Sequence, residues 1–318
     1  MTSYYSALFF TAFLPITVML YGMAPRRFRW AVLLLASYGF FFALSGALIA
    51  FVALSTAVVY ACARMMGANL EEKNRQLATA SSGKREIREA CKRKNRRIVF
   101  AAVVANIGIL AVLKYSGFFG LSLASALAAF GISIDLSIPS FALPIGISFY
   151  TLMAVSYVVD VYRERTKADK NLGHVALFLA FFPGIMEGPL SRYNDVASSL
   201  IAGEPLNRKN LYAGTLRIMW GMAKKIIVAD RLNAFVKPVF DNYGSYDGGV
   251  IALAAILYTI QLYCDFSGTM DVALGMGRVF NVTLPENFRQ PFFSRTASEF
   301  WQRWHITLGL WFKDYVYY

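Results

Sequence analysis

Two histidines occur among the 318 residues, His174 and His305, and the second stands in the chain's densest run of chemically capable side chains. That run reads Ser298-Glu-Phe-Trp-Gln-Arg-Trp-His-Ile-Thr-Leu-Gly-Leu-Trp-Phe-Lys-Asp-Tyr315 and holds three of the five tryptophans, Trp301, Trp304 and Trp311. Imidazole is the side chain best matched to proton transfer near neutral pH. As general base or acid it contributes roughly 10²–10⁴-fold. If the run is one helix, Trp301 and His305 stand one turn apart on a single face, with Leu308 continuing the stripe. Such a face would shield the ring from bulk water and leave one nitrogen available. A packed, hydrogen-bonded histidine among aromatics is the competing reading, and spacing alone does not separate the two. His174, at the start of an apolar run after Asn171 and Gly173, reads as an interfacial residue.

Upstream lie the groups that could share a site with this imidazole. Gln261-Leu-Tyr-Cys-Asp-Phe-Ser-Gly268 ends an apolar run with a carboxylate (Asp265), a hydroxyl (Ser267) and a glycine, and Asp271 follows. A carboxylate in a membrane helix costs about 2.5–3.5 kcal/mol at the bilayer centre, so such residues face a bundle interior or a cavity. Asp265 reads equally well as a helix-end carboxylate and as a residue lining a polar site. Leu284-Pro-Glu-Asn-Phe-Arg-Gln-Pro291 is an extended segment punctuated by two prolines. The chain has no G-x-S-x-G elbow, P-loop, H-E-x-x-H pair or dinucleotide-binding glycine fingerprint. Cys62, Cys91 and Cys264 are odd in number and lack C-x-x-C spacing, so neither a disulfide framework nor a metal site is expected.

The elements that must position these groups are membrane helices. Hydrophobic residues make up 57% of the chain and charged ones 16%, with a mean hydropathy of +0.46; soluble domains run nearer half apolar and a quarter charged. Five runs approach the roughly 20 residues needed to cross hydrocarbon, namely 4–23, 30–46, 47–63, 98–117 and 142–161, and a sixth, 249–267, is apolar until Asp265. Connections 24–29, 64–97 and 162–170 hold 3, 11 and 4 basic residues, whereas 44–47 and 118–140 hold none. This positive-inside pattern places the N-terminus and 118–140 outside and the basic segments in the cytoplasm. No basic region precedes the first run, so it reads as a retained helix rather than a signal peptide. Segment 174–189 carries Pro183, Gly184, Gly188 and Pro189 and reads as a broken, re-entrant or crossing helix. Residues 211–231 are amphipathic with Arg217, Lys224 and Lys225, and either lie along the interface or cross within a bundle. The expected fold is therefore all-α, a polytopic transmembrane helix bundle with broken, re-entrant and interfacial helices, forming a single membrane domain over 1–318.

The net charge of +13 does not point to nucleic acid, because 64–97 alone contributes +7 and lies between two apolar runs. Its nearest polyanion is a lipid surface. This segment reads as a basic cytoplasmic loop, with a short surface helix where Glu and Lys/Arg alternate at helical spacing, and binding of anionic headgroups is its functional alternative.

Four stretches resemble the membrane-bound O-acyltransferase family, and in particular its bacterial branch that acetylates alginate and similar exopolysaccharides, which is related to the D-alanyl transferase of teichoic acids. They are Leu143-Pro-Ile-Gly-Ile-Ser-Phe-Tyr150, Phe181-Phe-Pro-Gly-Ile-Met-Glu-Gly-Pro-Leu-Ser-Arg-Tyr193, Gln261 to Gly277, and Asn287-Phe-Arg-Gln-Pro-Phe through Glu299-Phe-Trp-Gln-Arg-Trp-His305 to Tyr315. The resemblance implies helices around a tunnel in the inner membrane, an acyl donor reaching it from the cytoplasm, and a hydroxyl acceptor on the other side. It assigns His305 to the family's W-x-x-W-H block as a catalytic residue. Asp265, Ser267, Trp301, Arg303, Trp304 and Asp314 fall on surrounding motif positions. No bound cofactor is implied; the donor would be acetyl-CoA or an acyl carrier protein thioester. The acceptor would be a polysaccharide or a periplasmic acetyltransferase relay partner. The family's second histidine, on a later helix, has no counterpart before Tyr318, so the given chain is expected to lack half its site and to be inactive alone. The other function classes open to this composition are a transporter or channel, which broken helices and intramembrane carboxylates also suit, and a non-catalytic scaffold for a partner enzyme.

Overall fold

The computed structural model describes residues 5–129 and 146–317, and all regular structure among them is helical. In chain order, a π-helical turn Phe9–Phe13 enters α1 (Leu14–Met23), followed by α2 (Arg29–Ser45), α3 (Ile49–Thr79), α4 (Lys84–Ala129) and α5 (Ile147–Tyr162). Next come α6 (Leu172–Ala180), α7 (Phe182–Ile185), α8 (Tyr193–Ile201), α9 (Arg208–Met222), α10 (Asp230–Asp241) and α11 (Gly248–Val279), then the short α12 (Ala297–Arg303) and α13 (Ile306–Phe312). Stretches Arg26–Thr79, Lys84–Leu127 and Gly248–Val279 are long and apolar enough to cross a membrane, and Phe9–Met23 and Ile147–Tyr162 are shorter apolar helices. Within Arg26–Thr79 the two crossings read from sequence are separate helices. Gly46 breaks them at φ +55°, a conformation glycine reaches without a Cβ penalty.

The structure corrects two expectations. Segment 64–97 is not a loop: α3 runs on to Thr79 and α4 starts at Lys84, so only the turn 80–83 separates two long helices. Interleaved Glu and Lys/Arg with no proline sustain the helices past the apolar runs. The buried Met66 and the Asn69–Asn95 hydrogen bond (2.7 Å) hold them together. The first part of the expected outer connection, 118–129, continues α4, while 130–140 lies outside the described residues, as does the start of the run expected from 142. By its internal packing the chain forms two compact units.

Unit 1 holds Leu33–Met186 and Arg192–Asn194. Helices α3, α4 and α5 pack against one another around buried polar pairs. Ser55 donates to Asn106, the Thr56 hydroxyl meets the fully buried Tyr150 OH at 2.7 Å, and Tyr150 donates to the Val52 carbonyl at 3.0 Å. Of the alternatives open for 174–189, the helix is broken: α6 ends at Ala180 and α7 restarts at Phe182 with Pro183 in its first turn. Ser37 accepts the Phe182 amide at 3.0 Å, so this buried N–H is not left unpaired. Gly146 (φ +78°) packs so tightly that a Cβ would lie 1.7 Å from the Ile185 carbonyl oxygen.

Unit 2 holds Ser3–Val32, Glu187–Ser191 and Asp195–Tyr318. Here α9 passes through a π-helical stretch, Ala223–Ala229, directly into α10, and this long helix packs antiparallel along α11. Glycines set the spacing. Gly214 faces Gly275 and Gly221 faces Gly268, and a Cβ on any of the four would come within 2.4–2.8 Å of the partner's carbonyl oxygen. Segment 211–231 therefore lies against a spanning helix, and its basic side chains turn to that helix's carboxylates. At one end, Tyr21 donates to the Glu204 carbonyl (2.9 Å), Arg26 pairs with Glu204 (2.5 Å), and the Tyr21 ring meets Phe280 edge-on at 5.3 Å. These contacts put the basic cluster after α1 level with the C-terminal end of α11.

Candidate active site

His305 does not continue a helix. Helix α12 stops at Arg303, Trp304 is extended, and His305 takes a left-handed φ of +44° before α13 begins. Non-glycine residues held there cost of order 1–3 kcal/mol and persist where their surroundings over-determine them. The surroundings come from the proline-bounded segment 284–291. The Arg289 amide donates to the Arg303 carbonyl and the Ile306 amide to the Asn287 carbonyl, both at 3.0 Å, pinning the turn on either side of the histidine.

Asn287 is the hub. It is fully buried, and its Oδ1 accepts from the Thr307 amide (3.0 Å) and the Thr307 hydroxyl (3.0 Å) while lying 3.2 Å from His305 Nδ1. A backbone N–H can only donate, so the atom facing Thr307 is the amide oxygen. That oxygen can only accept, so Nδ1 carries the proton and Nε2 keeps its lone pair. The Leu190 amide donates to Thr307 Oγ1 (3.1 Å), and Asn287 Nδ2 reaches Met270 Sδ at 3.3 Å, tying the turn to α11. His305 lies outside the spanning segments. Burial pushes its imidazole down to about 4, so the ring is neutral at physiological pH.

The aromatic wall differs from the one expected. Trp301 is not on the imidazole's face: it is 66% exposed and meets Phe300 edge-on. The break at Trp304–His305 dissolves the helical register that would have paired Trp301 with His305. Phe266 of α11 stands edge-on to the imidazole at 4.8 Å and Phe288 lies tilted at 6.5 Å. Trp304 stacks on Phe300 and packs against Phe288, Phe292 and Tyr263. Arg303 is tied to Glu299 on its own helix at 2.5 Å. Asp314 sits partly buried on the π-helical turn Lys313–Tyr317.

Asp265 and Ser267 belong to a row of ion pairs along the α9–α11 seam. Lys225 bridges Asp265 (2.8 Å) and Asp230 (3.1 Å). Lys224 donates to the buried Ser267 hydroxyl (3.1 Å) and pairs with Asp271. Arg217 reaches Asp271 Oδ1 at 2.9 and 3.0 Å and grips both Glu286 oxygens at 2.5 and 2.6 Å. Glu286 precedes Asn287, so this clamp fixes the segment that fixes His305. Sequence reading named Arg217 and Lys224 only as basic residues of an amphipathic segment, and counted neither them nor Asn287, Phe266 and Phe288 among the site residues. The signal for the basic pair was the carboxylates of an apolar helix, which need partners in any low-dielectric setting.

In unit 1, His174 sits in a hydrogen-bonded cluster. Its Nδ1 lies 3.2 Å from Asp169 Oδ2 and its Nε2 lies 3.1 Å from Asn171 Nδ2, and Tyr193 donates to the same Asp169 oxygen. Burial alone would raise the Asp169 carboxyl. Hydrogen bonds from Tyr193 and the Asn171 amide, together with His174, hold it below the usual carboxylate range instead.

Comparison with known proteins places this geometry. Residues 161–318 match the family model of MBOAT, the membrane-bound O-acyltransferase family. The probable alginate O-acetylase AlgI of Pseudomonas aeruginosa is 34% identical over 313 residues, covering 98% of this chain and 56% of that protein. The peptidoglycan O-acetyltransferase of Helicobacter pylori is 30% identical over 241 residues (68% of this chain, 45% of that protein). The teichoic acid D-alanyltransferase of Streptococcus thermophilus is 30% identical over 181 residues (54% and 43%). The chain thus spans little more than half the length of the curated relatives it matches. It belongs to the membrane-bound O-acyltransferase family.

Proposed function

We propose that this chain carries the cytoplasm-facing part of an O-acyl transfer site. The complete site moves an acyl group, acetyl by the names of its relatives, from a thioester donor to hydroxyls of an extracytoplasmic polysaccharide such as alginate. The donor is acetyl-CoA or an acyl carrier protein thioester, and a periplasmic acetyltransferase is the alternative recipient. The observation that carries this reading is the His305 imidazole. Asn287 fixes its tautomer, burial keeps it neutral, and aromatic rings wall it in. Nε2 takes the acceptor hydroxyl's proton as that oxygen attacks the thioester carbonyl. The carbon–sulfur bond then breaks, and the imidazolium returns the proton to the departing thiolate.

The protein sits in a bacterial inner membrane with its N-terminus outside and segments 24–29, 64–97 and 162–170 in the cytoplasm. The Lys73–Glu164 ion pair (2.6 Å) and the Tyr60–Lys170 hydrogen bond (2.9 Å) support a common side for the last two. Expressing the gene with His305→Gln in cells and measuring ester-linked acetate on secreted polysaccharide tests the reading. Loss of roughly 100-fold or more is expected. Wild-type acetylation by a stably inserted His305→Gln protein would overturn it.

A further inference from the structure

Two of the three basic connections meet in unit 1 around a cavity of about 450 Å³, whose charged lining is Lys73 of α3, Arg88 and Lys92 of α4, and Arg163 and Glu164 just after α5. Four cations face one carboxylate. Arg88 and Lys92 stand at i and i+4 on one helix face, a like-charge arrangement that opposes helix formation unless an anion offsets it. Neither has an ion-pair partner among the described residues.

Lys73 differs from them. Its side chain is only 11% exposed, and its ammonium is held by both Glu164 oxygens at 2.6 and 2.7 Å. Glu164 keeps its carboxylate there from a left-handed backbone, φ +59°, which non-glycine residues adopt at a cost. The cavity thus has a nearly buried cation, Lys73, capped by a removable internal anion, with Arg88 and Lys92 open at its rim. Its volume falls in the range of small-ligand sites and far exceeds one inorganic phosphate.

We propose that this cavity is a binding site for a phosphate monoester of headgroup or nucleotide size, in which the phosphate is gripped by Arg88 and Lys92 and competes with Glu164 for Lys73. The site lies in unit 1 and does not depend on the acyl-transfer reading. The phosphate could come from an anionic lipid or from a soluble phosphate ester, and the test separates the two.

The purified full chain would be titrated by native mass spectrometry with dioctanoyl phosphatidic acid and, separately, with adenosine 3′,5′-bisphosphate. Saturable one-to-one binding of at least one probe is expected. Removing each rim cation weakens binding roughly fivefold, so Arg88→Gln with Lys92→Gln should lose on the order of 20-fold. Glu164→Gln, which frees Lys73, should tighten binding several-fold; a purely structural carboxylate would not give that sign. Phosphatidic acid binding alone assigns the site to lipid, and bisphosphate binding alone to a soluble ester. Should the double variant misfold, the single Glu164→Gln change still decides. Binding of neither probe, or an affinity that Glu164→Gln leaves unchanged or weakens, would overturn the proposal.

Discussion

At the scale of single residues, the decisive group is Asn287. Its buried amide oxygen accepts from both the amide and the hydroxyl of Thr307 while orienting His305. Asn287→Ala leaves those donors without an acceptor, at about 1–3 kcal/mol, and should lower the melting temperature measured in detergent. Because the chain has two histidines, a His174→Asn background allows the His305 ring to be followed alone by ¹³C NMR. It is expected to titrate near 4 rather than at the ordinary 6.5. The sign for stability follows. The folded protein resists protonating this ring, so its contribution is full above pH 6.5 and is lost as pH falls from 6.5 towards 4. A carboxylate beside Nδ1 favours the charged ring. Asn287→Asp should therefore move the titration upward, and an unchanged curve would show that Asn287 does not contact the imidazole. The histidine was singled out in the sequence by its rarity and aromatic setting, with a packed histidine as the competing reading. Its partner was not, because Asn287 lies 18 residues upstream and nothing local marks an asparagine between two prolines as a hydrogen-bond hub.

At the scale of elements, the antiparallel seam of α9 and α11 rests on glycine contact and on ion pairs. Gly221→Ala would drive a Cβ to within 2.4 Å of the Gly268 carbonyl oxygen. Separating the helices should cost about 1–3 kcal/mol. Gly108→Ala in α4 meets nothing within 4 Å and should be neutral or mildly stabilising; comparing the two melting temperatures checks the seam. Arg217→Met leaves Glu286 without its cation and leaves Asp271, 8% exposed, with Lys224 alone. Breaking one side of a buried pair costs about 3–5 kcal/mol, towards the lower end here because Arg217 is 31% exposed. Adding Glu286→Gln should recover part of the loss. Purely additive losses in that cycle would show that the clamp does not exist. Helix identity was readable from apolar runs and the positive-inside pattern. The seam was not, since Gly214, Gly221, Gly268 and Gly275 look like ordinary small residues until the two helices are laid together.

For the whole molecule, the proposed topology puts the turn between α3 and α4 in the cytoplasm. With Cys62, Cys91 and Cys264 replaced by serine, a cysteine placed at Ser82 in the turn between α3 and α4 should react with a membrane-impermeant maleimide in inverted vesicles and stay unlabelled in intact spheroplasts. The reverse pattern would invert the proposed topology. The same turn shows how far composition carries: eleven basic residues in 64–97 mark a strongly basic connection. That the region is a helical hairpin, closing a cavity with residues 162–164, depends on packing between α3, α4 and the end of α5.

The amino-acid sequence by itself determined the solvent, the number and rough limits of the apolar helices, and the imidazole that could do chemistry. Hydropathy, charge asymmetry and residue rarity are one-dimensional quantities. Tertiary structure decided which atoms that imidazole touches, which nitrogen keeps its lone pair, and which cations neutralise Asp265 and Asp271. It also moved Trp301 away from the site by breaking the helix at His305. Each of those outcomes is a contact between segments far apart in the chain, or a backbone turn that such contacts hold against its local preference.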